Sequence, residues 1–206
     1  MFGEACFISK VNLTSASSHR ESDPIDHLTA PELEHGLDAI LRSPPTDGRL
    51  ELLVRRPAVD EREVLDEGEL DQAEGLVGDR WGARGANPDV QLTLMNARVI
   101  ALLARVRERW PLAGDQLYVD LDLSRANLPP GTRLRIGSAL IEVTAEPHTG
   151  CKKFAARYGV EAVRFVSTPV GKSNCLRGIN ARVVEAGTIR RGDAVRKVEQ
   201  QPTAGT

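Results

Sequence analysis

The sequence predicts an α+β domain built on a mostly antiparallel, barrel-like sheet with a few peripheral helices. Many short segments show the alternating or β-branched pattern of strands. Helical segments stand singly between them, without the long βαβ alternation of a parallel sheet. The chain has 206 residues, which is enough for one substantial core. These observations together favour a closed or nearly closed sheet with helices on its outside.

Composition excludes several classes of function. The 27 basic and 29 acidic residues leave a net charge of -2, so no overall field attracts nucleic acid or an anionic membrane. Aromatic residues make up 4% of the chain, which argues against base-stacking surfaces. An early acid and the lack of a long apolar run predict neither a signal peptide nor a membrane anchor. Cys6, Cys151 and Cys175 form no Cys-x-x-Cys pair, so we expect a cytoplasmic protein.

The chain divides into four segments by composition. Residues 1–30 are rich in Ser, Thr, His, Asp and Pro and predict a flexible arm. We expect residues 31–70 to form an extension that packs on the core and residues 70–198 to form the main domain. Residues 199–206 are expected to be a short tail. We therefore expect the functional residues in the third segment.

Helices and strands follow in order from residue 31. Apolar residues at helical spacing predict a helix over residues 31–42, which Pro44 and Pro45 stop. Residues 50–54 predict a strand, and the acidic stretch from 61 to 70 is compatible with a strand inside exposed turns. The remaining strands are predicted over residues 91–95, 116–121, 133–136, 139–144, 180–185 and 194–198, with a turn-rich stretch from 187 to 193.

Three local signals define turns and helix ends. Three glycines in the eight residues 75–82 predict a tight loop around Asp79 and Arg80, whose ordinary interpretation is a loop ion pair. Asn96 is suited to cap the helix that follows it. Gly137 and Ser138 predict a two-residue hairpin turn.

The segment from His148 to Phe154 is the predicted functional centre. Cys151 follows a predicted strand and a turn containing Gly150, and it precedes a predicted helix over residues 152–158 that Gly159 ends. A thiol before a helix and beside two lysines is placed to be a nucleophile or a metal ligand. The alternative is a small buried hydrophobe. His148 either orients Cys151, acts as an acid or base, or only occupies a turn.

Other candidates lie further along the chain. Arg177 is equally compatible with a surface arginine and with a guanidinium that binds phosphate. Cys175 is either a resolving thiol or without a role, and we favour the second interpretation. Gly171-Lys172-Ser173 does not complete a phosphate-binding loop, because Val166 stands where that motif requires glycine.

Taken in order, four groups of residues resemble the MOSC domain, named for the C-terminal domain of molybdenum cofactor sulfurases. The resemblance covers about residues 70–198. The groups are Gly78-Asp79-Arg80, then Asn127-Leu128 with Leu134 to Gly137, then Glu142-Val143-Thr144 leading to Cys151, and finally Arg177-Gly178 with Ala181-Arg182-Val183 and Gly187 to Asp193.

The resemblance implies a barrel-like fold and a role for Cys151 in binding molybdenum of the pterin cofactor or in carrying sulfur. By extension Arg80, Asn127, Lys152 and Arg177 are candidate contacts of the molybdenum cofactor (molybdopterin). The family includes reductases of N-hydroxylated compounds, while pyridoxal phosphate binding is associated with it only at the family level.

Partners follow from the same resemblance. No ferredoxin or flavin module is attached, so reduction of a small-molecule substrate needs a separate electron-donor protein. The alternative is a sulfur carrier or cofactor-handling module with a persulfide on Cys151. The sequence is compatible with a homodimer and does not decide the oligomeric state. We expect no nucleic-acid or membrane partner.

Overall fold

The structure is a computed structural model that describes residues 27–85 and 87–198. Most of the predicted arm at residues 1–30 and the whole predicted tail at residues 199–206 lie outside the described residues.

Eleven strands and five α-helices make up the described chain. The strands are β1 (Gly48–Arg55), β2 (Glu63–Leu65), β3 (Glu67–Asp71), β4 (Gly75–Leu76), β5 (Leu92–Asn96), β6 (Leu117–Asp120), β7 (Arg133–Ile136), β8 (Ala139–Val143), β9 (Ile179–Glu185), β10 (Gly187–Arg190) and β11 (Ala194–Val198). The helices are α1 (Ala30–Leu41), α2 (Ala97–Ala104), α3 (Lys152–Tyr158), α4 (Val160–Ser167) and α5 (Pro169–Ser173). Short 3₁₀ helices cover Gly82–Arg84, Pro88–Val90 and Arg107–Ala113.

Seven strands close into a barrel. Their order is β11-β7-β8-β9-β5-β6-β1, and β1 pairs with β11 to complete the ring. Strand β2 adds to the outside edge of β1, and β3 forms a small separate sheet with β4 and β10. Within the described ring β5 and β6 run parallel, while the other neighbours are antiparallel. The predicted α+β fold with a mostly antiparallel barrel is therefore confirmed.

Strand β1 belongs to the barrel although it lies in the predicted N-terminal extension. Leu53 is opposite Leu117 of β6, and Gly48 is opposite Val195 of β11. The barrel thus contains residues from both sides of position 70. The division of the chain into four segments stays a prediction.

Two hydrophobic clusters lie on either side of the barrel wall. Leu50 and Leu53 of β1 belong to the cluster that includes Val195, whereas Leu52 and Val54 belong to the cluster of the helices. The second cluster contains residues of α1 to α4 and the outward side chains of β1, β5 and β6. It packs α3, and with it the predicted functional centre, against the outside of the barrel.

Most local predictions match the structure. Asn96 caps α2 by accepting hydrogen bonds from the backbone amides of Arg98 and Val99, and Gly137 takes a positive φ of 53° in the turn between β7 and β8.

Other stretches differ from the predictions. Residues 187–190, predicted as turn, form β10 because β3 supplies an antiparallel partner. Helices α4 and α5 follow directly after α3, where no helix was predicted. Among the described residues, no helix is long and apolar enough to cross a membrane.

Candidate functional site

Cys151 is the residue immediately before α3. Its backbone is extended, with φ -123° and ψ 173°, and its carbonyl accepts the first helical hydrogen bond from Ala155 at 3.0 Å. Its thiol is free and exposed. The alternative interpretation of Cys151 as a small buried hydrophobe is therefore wrong, and the thiol is accessible to a ligand.

A buried charged cluster lies behind this helix. Nη1 of Arg177 donates to both carboxylate oxygens of Asp115, at 3.1 Å and 2.9 Å, and its Nη2 donates to the carbonyl of Ala113 at 3.3 Å. Nδ1 of His148 lies 3.5 Å from Asp115 Oδ1. The Asp115 side chain is fully buried. The sequence analysis did not find Asp115, because its partner Arg177 is 62 residues away.

Arg177 also connects the cluster to the helix that Cys151 begins. Its guanidinium lies over the ring of Phe154, 4.7 Å from the ring centroid. Phe154 is in the first turn of α3 and is buried. A cation over an aromatic face is favourable, and more so where water is excluded. Arg177 is thus a buried structural cation, and of the two open interpretations the surface arginine is wrong.

Burial holds His148 neutral. The loss of hydration lowers the pKa of His148, and the positive charges of Arg177 and Arg56 act in the same direction. Together these effects outweigh the opposing carboxylate of Asp115, so the pKa falls from 6.5 to about 4. At neutral pH the imidazole carries no charge and offers one N–H donor and one acceptor nitrogen.

The Asp79–Arg80 pair does not form the predicted loop ion pair. Asp79 instead accepts two hydrogen bonds from the guanidinium of Arg56, both at 2.9 Å, and further bonds from the backbone amides of Arg56 and Trp81. The neighbouring Arg80 has a buried Nε that makes no hydrogen bond to any residue described by the structure. Asp79 therefore has a structural role, and Arg80 keeps a donor available.

The remaining two predicted contacts lie in different settings. The side-chain amide of Asn127 donates to the carbonyls of Pro45 and Asp122 at 3.0 Å and 2.7 Å. Its Oδ1 and its backbone carbonyl both accept from the ammonium group of Lys197. The side chain of Asn127 thus stabilises a loop by binding backbone carbonyls. Lys152 is exposed at the start of α3 beside Cys151. Lys152 therefore begins α3, Arg177 packs on that helix through Phe154, and His148 lies three residues before Cys151. Asn127 lies in a separate loop.

A cleft of about 160 Å³ opens next to this centre. Residues 145–149 form one wall, and Cys151 follows two positions after that wall ends. His148, Arg177 and Cys175 contribute to the lining, with Arg125 and Lys172. The sequence analysis missed this cleft, because its walls come from four separate stretches of chain.

Cys175 is the cysteine that lines the cleft. It takes a positive φ of 48°, and burial raises the pKa of its thiol above the usual value. A thiol with a raised pKa is protonated at neutral pH and is a weaker nucleophile than a thiolate. In the part of the chain that the structure describes, no group of three or more His, Cys, Asp or Glu residues is placed to hold a metal ion.

The family model of the MOSC domain matches residues 103–196, which include Asp115, His148, Cys151 and Arg177. No curated protein matches the chain.

Several solved structures share the fold. The YuaD protein from Bacillus subtilis is 19% identical with a TM-score of 0.55, and the match covers 75% of this chain and 97% of that one. YiiM from Escherichia coli is 22% identical with a TM-score of 0.51, over 74% of this chain and 71% of that one. YiiM from Geobacillus stearothermophilus is 15% identical with a TM-score of 0.53, over 76% and 78% of the two chains.

Proposed function

Because this chain carries a MOSC domain, we propose that it binds the molybdenum cofactor through Cys151 and reduces small N-hydroxylated compounds. The electrons come from a separate donor protein. The observation that carries the proposal is the exposed, free thiol of Cys151 at the start of α3, a helix held against the buried Arg177 by Phe154. A MOSC domain is associated with this cofactor at the level of the family, and the specific reaction is our proposal.

Most of the candidate side chains fit the cofactor chemically. Thiolate sulfur is a soft ligand of the kind that suits molybdenum. The buried Nε atoms of Arg80 and Arg177 have no hydrogen-bond partner among the described residues, so an acceptor atom of a ligand would satisfy them. The ammonium group of Lys152 is exposed beside the thiol and suits a phosphate. Asn127 fits less well, because its amide hydrogens already bond to Pro45 and Asp122.

When bound, the cofactor supplies a metal centre that transfers electrons to the substrate. Reduction of an N-hydroxylated compound breaks the N–O bond, takes up two electrons and two protons, and releases water. The residues of this chain bind and orient the reactants. His148 is neutral above pH 4 and so is a poor proton donor at neutral pH, which gives it a positioning role, and water supplies the protons.

A sulfur carrier is the second candidate, and the exposure of Cys151 favours it as well. In that case the Cys151 thiol holds a persulfide, which an acceptor protein must be able to reach. Mass spectrometry distinguishes the two functions, because a persulfide adds the mass of one sulfur atom to the peptide containing Cys151 and a reductant removes it.

Metal and pterin analysis of the purified protein tests the proposal. The wild type, Cys151→Ser and the matched variant Cys175→Ser are produced in a host that makes the cofactor. We expect the wild type and Cys175→Ser to retain molybdenum and pterin, and Cys151→Ser to lose most of the metal. A wild type without molybdenum overturns the proposal, as does a Cys151→Ser variant that retains as much metal as the wild type.

A further inference from the structure

Two exposed cationic side chains that make no ion pair with any described residue line the cleft beside Cys151. Arg125 and Lys172 are exposed, and in the described part of the chain neither side chain has an ion-pair partner. Among the described residues, the lining contains one acid, Glu146. Arg177 adds a third cation, whose charge Asp115 offsets. The cleft is therefore positively charged, although the whole chain is slightly acidic.

Two buried polar atoms of residues that line the cleft lack hydrogen-bond partners among the described residues. Nε of Arg177 makes no hydrogen bond within the described chain, and the side chain is only 8% exposed. Nδ1 of His148 is also buried and has no hydrogen-bond partner in the part of the chain that the structure describes. A buried donor without an acceptor costs about 1–3 kcal/mol, and a ligand that supplies the acceptor recovers this free energy. Both atoms belong to residues of the cleft lining.

The rest of the lining is apolar. Leu128, Val143, Val166 and Ile179 contribute to it. Its volume of about 160 Å³ is below the range of about 300–1,000 Å³ that is typical of sites for drug-sized ligands. The cleft thus suits a small molecule, or one end of a larger molecule, that has an apolar body and an anionic group.

We infer that this cleft binds the substrate of the Cys151 centre, and that the substrate is a small apolar molecule carrying a carboxylate or a phosphate monoester. Arg125 and Lys172 bind the anionic group at the rim, and the apolar wall covers the body of the molecule. The identification of the bound anion as a substrate rests on the proposed function, whereas anion binding in the cleft does not.

Binding of model anions tests the inference. The full chain is titrated with benzoate and phenyl phosphate, and with benzamide as a neutral molecule of the same shape, by calorimetry and NMR. We expect the two anions to bind and benzamide to bind at least about tenfold more weakly, which corresponds to about 1.4 kcal/mol. Equal binding of benzoate and benzamide, or no binding of either anion, overturns the inference.

Variants locate the anion. The double variant Arg125→Gln, Lys172→Gln keeps side chains of similar length without charge, and we expect it to lose about tenfold or more in affinity for benzoate. Arg42→Gln, an exposed arginine at the end of α1, serves as the matched control and should bind as the wild type does. Unchanged affinity in the double variant contradicts the assignment.

The same titration on cofactor-free and cofactor-loaded protein distinguishes substrate from cofactor. Equal benzoate binding to both forms supports a substrate site. Loss of binding in the loaded form assigns the cleft to the phosphate of the cofactor and overturns the inference. If the wild type holds no molybdenum, the proposed function fails while the anion titration still gives its own result.

Discussion

A single buried carboxylate fixes the position of Arg177. Nη1 of Arg177 lies 3.1 Å and 2.9 Å from the two oxygens of Asp115, and both side chains are almost completely shielded from water. Because Asp115 lies two residues before β6 and Arg177 lies two residues before β9, the ion pair joins two parts of the barrel wall. The same guanidinium packs on Phe154 of α3. The pair therefore couples the barrel to the helix that begins after Cys151.

The first prediction concerns this ion pair. Asp115→Asn keeps the size of the side chain and leaves the charge of Arg177 buried without a counter-ion. We expect a loss of about 3–5 kcal/mol in the free energy of unfolding, measured by urea denaturation. Asp60→Asn is the control, because it removes an exposed partner of Lys153, and it should leave the unfolding curve nearly unchanged. Equal effects of the two variants contradict the structural role of Asp115.

The second prediction concerns pH. The folded protein holds the pKa of His148 at about 4, below the ordinary 6.5. Between these values the unfolded chain binds a proton that the folded protein does not, so the contribution of His148 to stability is complete above pH 6.5 and is lost as the pH falls towards 4.

Comparison with His148→Gln isolates this contribution. Between pH 6 and 5 the difference in unfolding free energy between wild type and variant should shrink by about 1 kcal/mol per pH unit. Parallel pH profiles for the two proteins would show that His148 is not held neutral.

The third prediction concerns Gly178. Its φ of 110° is strained for other residues, and a Cβ atom there would lie 2.2 Å from the carbonyl oxygen of Leu94 and 3.1 Å from Nδ1 of His148. We expect Gly178→Ala to destabilise the fold by more than about 3 kcal/mol. Gly192→Ala is the matched control, since φ is 95° there and no atom of the described residues lies within 4 Å of the added carbon. It should lose only the backbone part, about 1 kcal/mol.

The fourth prediction distinguishes the roles of Asp79 and Arg80, which are adjacent in sequence. Asp79 accepts hydrogen bonds from Arg56 and Trp81, so Asp79→Ala should destabilise the fold by about 3 kcal/mol or more. Arg80→Gln should leave the unfolding free energy nearly unchanged and lower the amount of pterin that co-purifies with the protein. Normal pterin content in Arg80→Gln contradicts a role for Arg80 in holding the cofactor.

Local signals in the sequence predicted much of the fold. The hairpin at Gly137, the cap at Asn96 and the helix from Lys152 to Tyr158 each depend on residues within a few positions of one another. Such patterns are visible without any tertiary contact. Strand β10 was predicted as turn, because its strand character depends on pairing with β3 more than a hundred residues earlier.

The candidate site was harder to predict, because its contacts join distant residues. Cys151 and His148 lie within one short segment, so their pattern was visible. The partner of Asp79 is Arg56, not the adjacent Arg80, and the partner of Arg177 is Asp115. Cys175 was expected to have no role, yet the chain brings it into the cleft. These differences follow from the closed sheet, which places side chains together without regard to their spacing in sequence.

X-ray absorption at the molybdenum edge tests the central claim most directly, because it counts the sulfur atoms bound to the metal. Cofactor-loaded wild type should show one sulfur ligand more than the pterin itself provides, and Cys151→Ser should either lose the metal or show one sulfur fewer. A wild-type spectrum with only the sulfur atoms of the pterin, or an unchanged spectrum in Cys151→Ser, would contradict Cys151 as the ligand of molybdenum.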